Sequence, residues 1–492
     1  MNKKIFSVSL FISFLCIFPL NSSENPPVTG FEIEISAPQL INRPLKLLNY
    51  FNERHYLIDS VMLSDEGTGV LKKDRKLQEG LYLILIDSTW RFTLLIGDEQ
   101  VFHLAIDTVD LIMNMRVEGS MQTEAYFTYA QFITKQKRAV QQISKEEQVL
   151  VLPEKASKKE KEKMELKKKS LIHQKDSINQ LVFSFQTDFF EKHKDDWVGK
   201  YFKGINPVDA NKGPFPFPNN SQERYQQFLY IKNHYFDNVD LSDLRFWYTD
   251  FFPLMIEKYI KNYVEPPADS LANAASSLVA KVLNGGNTNC FRLMLSKLFN
   301  YAIQSDLMGM ENVWAKLAED YYLNGMVADF DSTQYDNLLS EYTKIKYNRI
   351  GMKAQNLHMM DSIGNPVELY QVAKRYTLIY FYEPTCSHCK KMTPEMYNEV
   401  YLKFRDKGLE VFCVNTMTDR REWMRMINEG KLTDWINVWD VGRTSHFWEY
   451  YNTSTTPSTY LINENKMIIA KKLDVAGWNR LLSNLLNSFL SN

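Results

Sequence analysis

Two cysteines stand two residues apart in EPTCSHCKKMTP, where an apolar run over residues 376–382 gives way to a helical pattern. Cys386 falls at the first turn of that predicted helix. Its sulfur is thus near unpaired backbone N–H groups and the positive end of the helix dipole, which favour thiolate over thiol. Cys389 lies three residues on, on the same helix face, within one turn's reach for closing a disulfide. Cys386 is therefore the expected nucleophile of a thiol–disulfide exchange, and Cys389 the residue that resolves the mixed disulfide. His388, which with Ser387 separates the cysteines, can donate a hydrogen bond to the thiolate or place a positive charge beside it, favouring the reduced form. Glu383 is the nearest carboxylate in sequence; it is either a proton acceptor for Cys389 or a partly exposed strand-end acid.

The same residues fit other chemistries poorly. Zinc needs four ligands, and no second CxxC or CxxH pair completes such a set, so neither metal nor cofactor is expected. Covalent haem attachment wants His directly after the second cysteine, and Lys390 stands there. A peroxidase of the peroxiredoxin type would want Thr or Ser three residues before its reactive cysteine, the place of Glu383. A purely structural staple would close too short a loop to remove much unfolded-state entropy. Two prolines add context: Pro394 should kink the helix that begins at the pair, and Thr456-Pro457, ahead of a predicted strand, is the candidate cis peptide facing the sulfurs.

The elements that must hold this pair follow from periodicity. Strands are expected over residues 376–382, 409–415, 458–462 and 467–470, with helices over 386–405, 419–429 and 475–490 and a helical stretch near 444–451. A hairpin turn in DSIGNPVEL, followed by a short helix up to Arg375, opens the segment. This makes a βαβ unit joined to a ββα unit. With Cys386-x-x-Cys389, Pro394, Thr456-Pro457 and the runs WINVWD and TPSTYLINENKMIIAKKL, the last quarter of the chain resembles the TlpA/ResA-like branch of the thioredoxin superfamily. The match is to exported Gram-negative proteins that carry a β-domain and a helical domain before the redox module. The resemblance implies thiol–disulfide oxidoreductase activity, with the Thr456-Pro457 backbone holding the substrate strand. Two positions depart from the thioredoxin pattern: Thr385 precedes the first cysteine, where Trp is usual, and Tyr380 holds the place of a buried acid.

Upstream, five alternating apolar runs between residues 30 and 117, separated by turn signals, predict a small antiparallel β-sandwich. From residue 120 the period becomes helical. Met164, Leu171, Ile178 and Phe185 form a seven-residue stripe, and the lysine-rich run before them carries glutamates at same-helix spacing, a solvated face. Further helices are expected over 222–232, 244–263, 270–283, 290–305, 310–323 and 333–347. The proline-rich loop 213–218 and the aromatic cluster Phe246, Trp247, Tyr248, Phe251 and Phe252 are read as a stiff loop and a buried helix face. Cys290 and Cys413 are read as buried core residues. The fold expected is thus multi-domain: signal peptide 1–23, β-sandwich 24–119, all-α domain 120–350 and thioredoxin-like α/β domain 351–492.

The N-terminus supplies two lysines, an apolar run and then small residues, the pattern of a cleaved secretory signal that is too short for a membrane span. Phe14 and Leu15 are wrong for a lipobox before Cys16, which leaves a cell-envelope lipoprotein as the lesser alternative. Export, to the periplasm, leaves Cys290, Cys386, Cys389 and Cys413 in a disulfide-permissive compartment. With 58 basic against 59 acidic side chains, no global field attracts nucleic acid. The expected partners are thiol- or disulfide-containing client proteins and an electron-transfer partner in the envelope. The alternative function is a binding or scaffold protein whose β and helical domains recognise a partner, with the redox module auxiliary.

Overall fold

The computed structural model describes residues 30–487 apart from 87–89, 151–156, 207, 265–267, 329 and 431. The expected signal peptide and Cys16 lie outside the described residues. The described chain forms two compact units, one up to Tyr263 together with Lys281–Leu293, the other Val264–Ala280 together with Met294 onward.

In the first unit, eight strands make two four-stranded sheets: β1 (Phe31–Ser36), β2 (Pro44–Phe51), β3 (Arg54–Met62), β4 (Thr68–Lys73), β5 (Gly80–Leu85), β6 (Arg91–Ile96), β7 (Val101–Ala105) and β8 (Arg116–Glu118). Their orders are β4-β1-β7-β8 and β3-β2-β5-β6. Phe31, Ile33 and Ile35 of β1 are buried and Glu34 is exposed, so the alternation gives the sheet one apolar face. The pairing is antiparallel with one correction: β1 and β7 run parallel, Ile33 opposite Phe102. The chain enters β7 from β6 of the other sheet, not through a hairpin with β1, so no tight turn imposes the antiparallel direction.

Helices α1 (Met121–Gln148), α2 (Lys158–Lys192), α3 (Trp197–Ile205), α4 (Ser221–His234) and α5 (Phe252–Tyr263) follow. The Ser120 hydroxyl caps α1, and a Ser157–Glu160 capping box opens α2, whose charged run buries Leu171 and Phe189 and leaves Leu166 and Leu181 exposed. The helix expected over 244–263 is broken into a 3₁₀ turn at Leu244–Tyr248 and α5. Thr249 is extended there, and its hydroxyl accepts the Phe252 N–H at 3.4 Å. Pro253 enters in the first turn of α5, where no donor is needed. Phe246, Trp247, Tyr248 and Phe252 are buried, whereas Phe217 in the proline-rich loop is exposed.

The chain crosses between the units within α6 (Ala268–Asn284) and α7 (Thr288–Gln304); α8 (Met310–Leu317) and α9 (Ser332–Ile345) belong to the second. There, β9 (His358–Asp361), β10 (Pro366–Glu368), β11 (Tyr376–Tyr382), β12 (Leu409–Asn415), β13 (Ile436–Trp439), β14 (Ser458–Asn463) and β15 (Ile468–Lys471) form one sheet in the order β10-β9-β13-β12-β11-β14-β15. β11, β12 and β13 are parallel, and β14 lies antiparallel on β11. The short helix expected before Arg375 is only a 3₁₀ turn, Leu369–Gln371, ended by extended Val372. Helices α10 (Ser387–Glu395), α11 (Leu402–Phe404), α12 (Arg420–Glu429), α13 (Phe447–Tyr450) and α14 (Val475–Asn487) complete the unit.

Every residue of β11 is buried because both faces of the sheet are covered. Leu378, Tyr380 and Tyr382 enter a core with Cys389 of α10, Trp423 of α12 and Trp478 of α14. Ile379 and Phe381 enter the opposite core with Phe447 and Tyr451. Past Pro394, which removes a donor, α10 widens into a π turn at Met396–Tyr401 before α11, the local form of the expected kink. A buried cation joins β15 to the helices before it. Lys471 Nζ donates to Asn348 O at 2.9 Å and Asn348 Oδ1 at 2.8 Å, and lies 2.6 Å from Glu311 Oε1 on α8. Burial lowers the Lys471 pKa to about 8, against the opposing pull of Glu311.

Candidate active site

The loop after β11 turns sharply at Glu383, whose carbonyl accepts the Cys386 N–H at 3.1 Å. Cys386 is then the N-cap of α10, with extended φ −66° and ψ 127°, and its own carbonyl accepts the Lys390 N–H at 3.0 Å. An N-cap side chain normally takes the free N–H groups of the first turn. Here that side chain is a thiol. Burial works to raise the Cys386 pKa, but the Cys389 and His388 N–H groups, with the Thr456 and Cys389 side chains, outweigh it and leave the pKa lowered. The sulfur is half-exposed and, as a thiol, donates to the Thr456 carbonyl at 3.4 Å.

Cys389 is the opposite case. It is fully buried, and burial pushes its thiol up to about 12, with only partial relief from the Glu383 N–H, which donates to the sulfur at 3.5 Å. One sulfur is thus open and inclined to ionise, and its neighbour is covered and held as the thiol. The Thr456-Pro457 peptide is cis and leads into β14, beside the C-terminal end of β11.

The structure therefore gathers Cys386, Cys389, Glu383, Thr456 and Pro457 at one end of the sheet. Glu383 takes part through its backbone, and its side chain is half-buried. His388 and Ser387 are exposed, and His388 acts on the Cys386 sulfur through its backbone N–H. Pro394 is on the exposed side of α10, two turns along. The Thr385 hydroxyl meets Met417 Sδ at 3.1 Å. One contact was not foreseen from sequence: Tyr380 Oη and Thr393 Oγ1 are hydrogen-bonded at 2.9 Å in the core behind Cys389. The signal available was spacing, since Thr393 follows Cys389 by one helical turn.

The described cysteines are free thiols, and Cys290 and Cys413 are buried. Among the described residues no cluster of three or more His, Cys, Asp or Glu could hold a metal ion, and no helix is long and apolar enough to cross a membrane.

Residues 350–471 match the AhpC/TSA family. The chain is similar to thiol-disulfide oxidoreductase ResA of Bacillus cereus, 24% identical over 139 residues, which are 28% of this chain and 76% of the relative. It is 29% identical to ResA of Bacillus anthracis over 137 residues, 28% of this chain and 75% of the relative. Among solved structures, a domain of a possible thiol-disulfide isomerase from Cytophaga hutchinsonii is 34% identical, aligned over 29% of this chain and 97% of that domain, with a TM-score of 0.27.

Proposed function

The C-terminal domain being a thioredoxin-like module of the thiol-disulfide oxidoreductases, we propose that this chain is an exported enzyme that exchanges disulfides with client proteins through Cys386 and Cys389. The observation that carries this reading is the asymmetry of the two thiols: Cys386 accessible with a lowered pKa, Cys389 buried with a raised one. Cys386 attacks, Cys389 resolves, and the Thr456-Pro457 backbone, already a partner of the Cys386 sulfur, aligns the client strand. Glu383, half-buried beside Cys389, receives the resolving proton, and His388 and Ser387 flank the approach. Pro394 sets the course of the helix. The domain division 24–119, 120–350 and 351–492, the leader 1–23 and the periplasmic destination belong to the same proposal.

The test is trapping. Cys389→Ser should accumulate mixed disulfides through Cys386 when disulfide-bonded proteins are supplied, and Cys386→Ser should accumulate none. If reduced protein neither turns over a disulfide substrate nor traps one, the function lies in binding by the β and helical domains. Equilibration of the pair with glutathione gives the direction of electron flow: a potential near ~−270 mV marks a reductase, one near ~−120 mV an oxidant.

A further inference from the structure

The resolving thiol must lose its proton at the edge of an apolar core. β11 turns Tyr380 and Tyr382 toward that core, β12 contributes Cys413, α12 contributes Trp423 and α14 contributes Trp478. The Tyr380 hydroxyl and the Cys413 thiol of that core interact with Cys389, and the Glu383 N–H donates to its sulfur at 3.5 Å. Two hydroxyls are arranged in a particular way. Thr393 is one turn beyond Cys389 on the same face of α10, and its Oγ1 is 2.9 Å from Tyr380 Oη, both residues being at most 1% exposed. Each hydroxyl has a rotatable hydrogen, so one can keep the bond while the other turns its dipole. Burial also holds the Tyr380 phenol well above its ordinary pKa, so it stays a donor.

We propose that the Tyr380–Thr393 hydroxyl pair is a positioning device for the resolving cysteine: it fixes α10 against β11 and turns a hydroxyl dipole toward the Cys389 sulfur as its proton leaves. This rests on the redox reading above. In the step concerned, the Cys389 S–H gives up its proton to the Glu383 carboxylate and its sulfur bonds to Cys386 Sγ. The Cys386–client S–S bond then breaks, and the client sulfur leaves as a thiolate that takes up a proton. Two electrons pass from the cysteine pair to the client. The hydroxyls give and take no proton in this balance; they stabilise the buried charge while it exists.

The test separates attack from resolution in the full-length protein. Cys386 attacks the disulfide probe dithiobis(nitrobenzoate), forming a mixed disulfide and expelling one thionitrobenzoate, and release of the second thionitrobenzoate by Cys389 is followed across pH. With Tyr380→Phe plus Thr393→Val, release should slow about tenfold at neutral pH, its profile moving up by about one pH unit. The initial attack of Cys386 on the free probe should be unchanged. Thr393→Ser, which keeps the hydroxyl, should retain the wild-type profile, whereas Thr393→Val alone should shift it, a comparison that survives should the double variant not fold. An unshifted profile for Thr393→Val, or equal slowing by Ser and Val, overturns the proposal. If the unaltered pair fails to attack the probe at all, it is the redox reading that falls.

Discussion

Two cysteines of this chain begin helices, and they behave in opposite ways. Cys386 caps α10, and Cys290 is in the first turn of α7. At α7 the free N–H groups are taken by a neighbour: Asn287 Oδ1 accepts from Asn289 at 3.1 Å and from Cys290 at 3.1 Å. The Cys290 sulfur is fully buried and donates to the Ser242 carbonyl at 3.3 Å, and burial, with Asp243 and Asp240 nearby, pushes its thiol up to about 12. At α10 the preceding Thr385 hydroxyl is turned to Met417 Sδ, Cys386 holds the N-cap position, and the His388 and Cys389 N–H groups act on its sulfur. A helix start thus makes a reactive thiol only where the sulfur is the acceptor its N–H groups reach and solvent reaches the other side.

The comparison can be broken most decisively by serine substitution. Cys386→Ser should reduce turnover of a disulfide reporter peptide to background, and Cys290→Ser should leave it at the wild-type rate; the reverse pattern would assign the chemistry to the wrong helix. Next in size is alkylation at pH 7 by iodoacetamide, mapped by mass spectrometry. A thiol with pKa about 12 is ionised to only ~10⁻⁵ at that pH, so Cys386 should be modified about a thousandfold faster than Cys290 or more. Labelling of Cys386 should fall as pH drops through a midpoint below its ordinary 9.0.

Stability sharpens the contrast from the other side. Cys290→Ala should cost about 1–3 kcal/mol in denaturant unfolding, through a cavity and a lost S–H contact, and Cys386→Ala should change stability by about 0.5 kcal/mol or less. The pH dependence has a definite sign. The folded Cys290 thiol keeps its proton up to about 12, whereas the unfolded one releases it near 9.0, so stability should fall as pH rises between those values. Cys290→Ala should flatten that slope. The smallest effect belongs to His388→Ala: its contribution is a backbone N–H that alanine retains, so the Cys386 alkylation rate should change less than about threefold, the scale of an exposed charge.

In the second unit, how much was legible in sequence tracks burial; in the first, β3 was legible though it buries no side chain, and β2, which buries Leu45 and Leu47, was not. β11, β12 and β14 are apolar because both faces are covered, and their limits follow from composition within a residue. β4 and β8 each bury a single side chain, Leu71 and Val117, which leaves no pattern to find. β13 is four residues long and shares its run with Asn437. At the site, the cysteine spacing, Pro394 and Thr456-Pro457 are local signals. The Glu383 N–H on Cys389 and the Tyr380–Thr393 bond depend on how a strand and a helix meet; spacing along α10 puts Thr393 on the Cys389 face but does not pair it with Tyr380. The parallel pairing of β1 with β7 is of the same kind, set by the order in which the chain visits two sheets.

The buried ammonium of Lys471 bears on how this redox module can be moved between proteins. Its partners, Glu311 and Asn348, both precede residue 351, where periodicity alone would cut. A fragment beginning there would keep the cation and lose its counter-charge and both acceptors, a loss of the order of 3–5 kcal/mol for a buried pair. Electrostatics thus draws the border of the portable piece ahead of α8, on the helical side of the boundary that the sequence pattern marks. Fusion or exchange during evolution would have to carry those helices along, or replace the lysine.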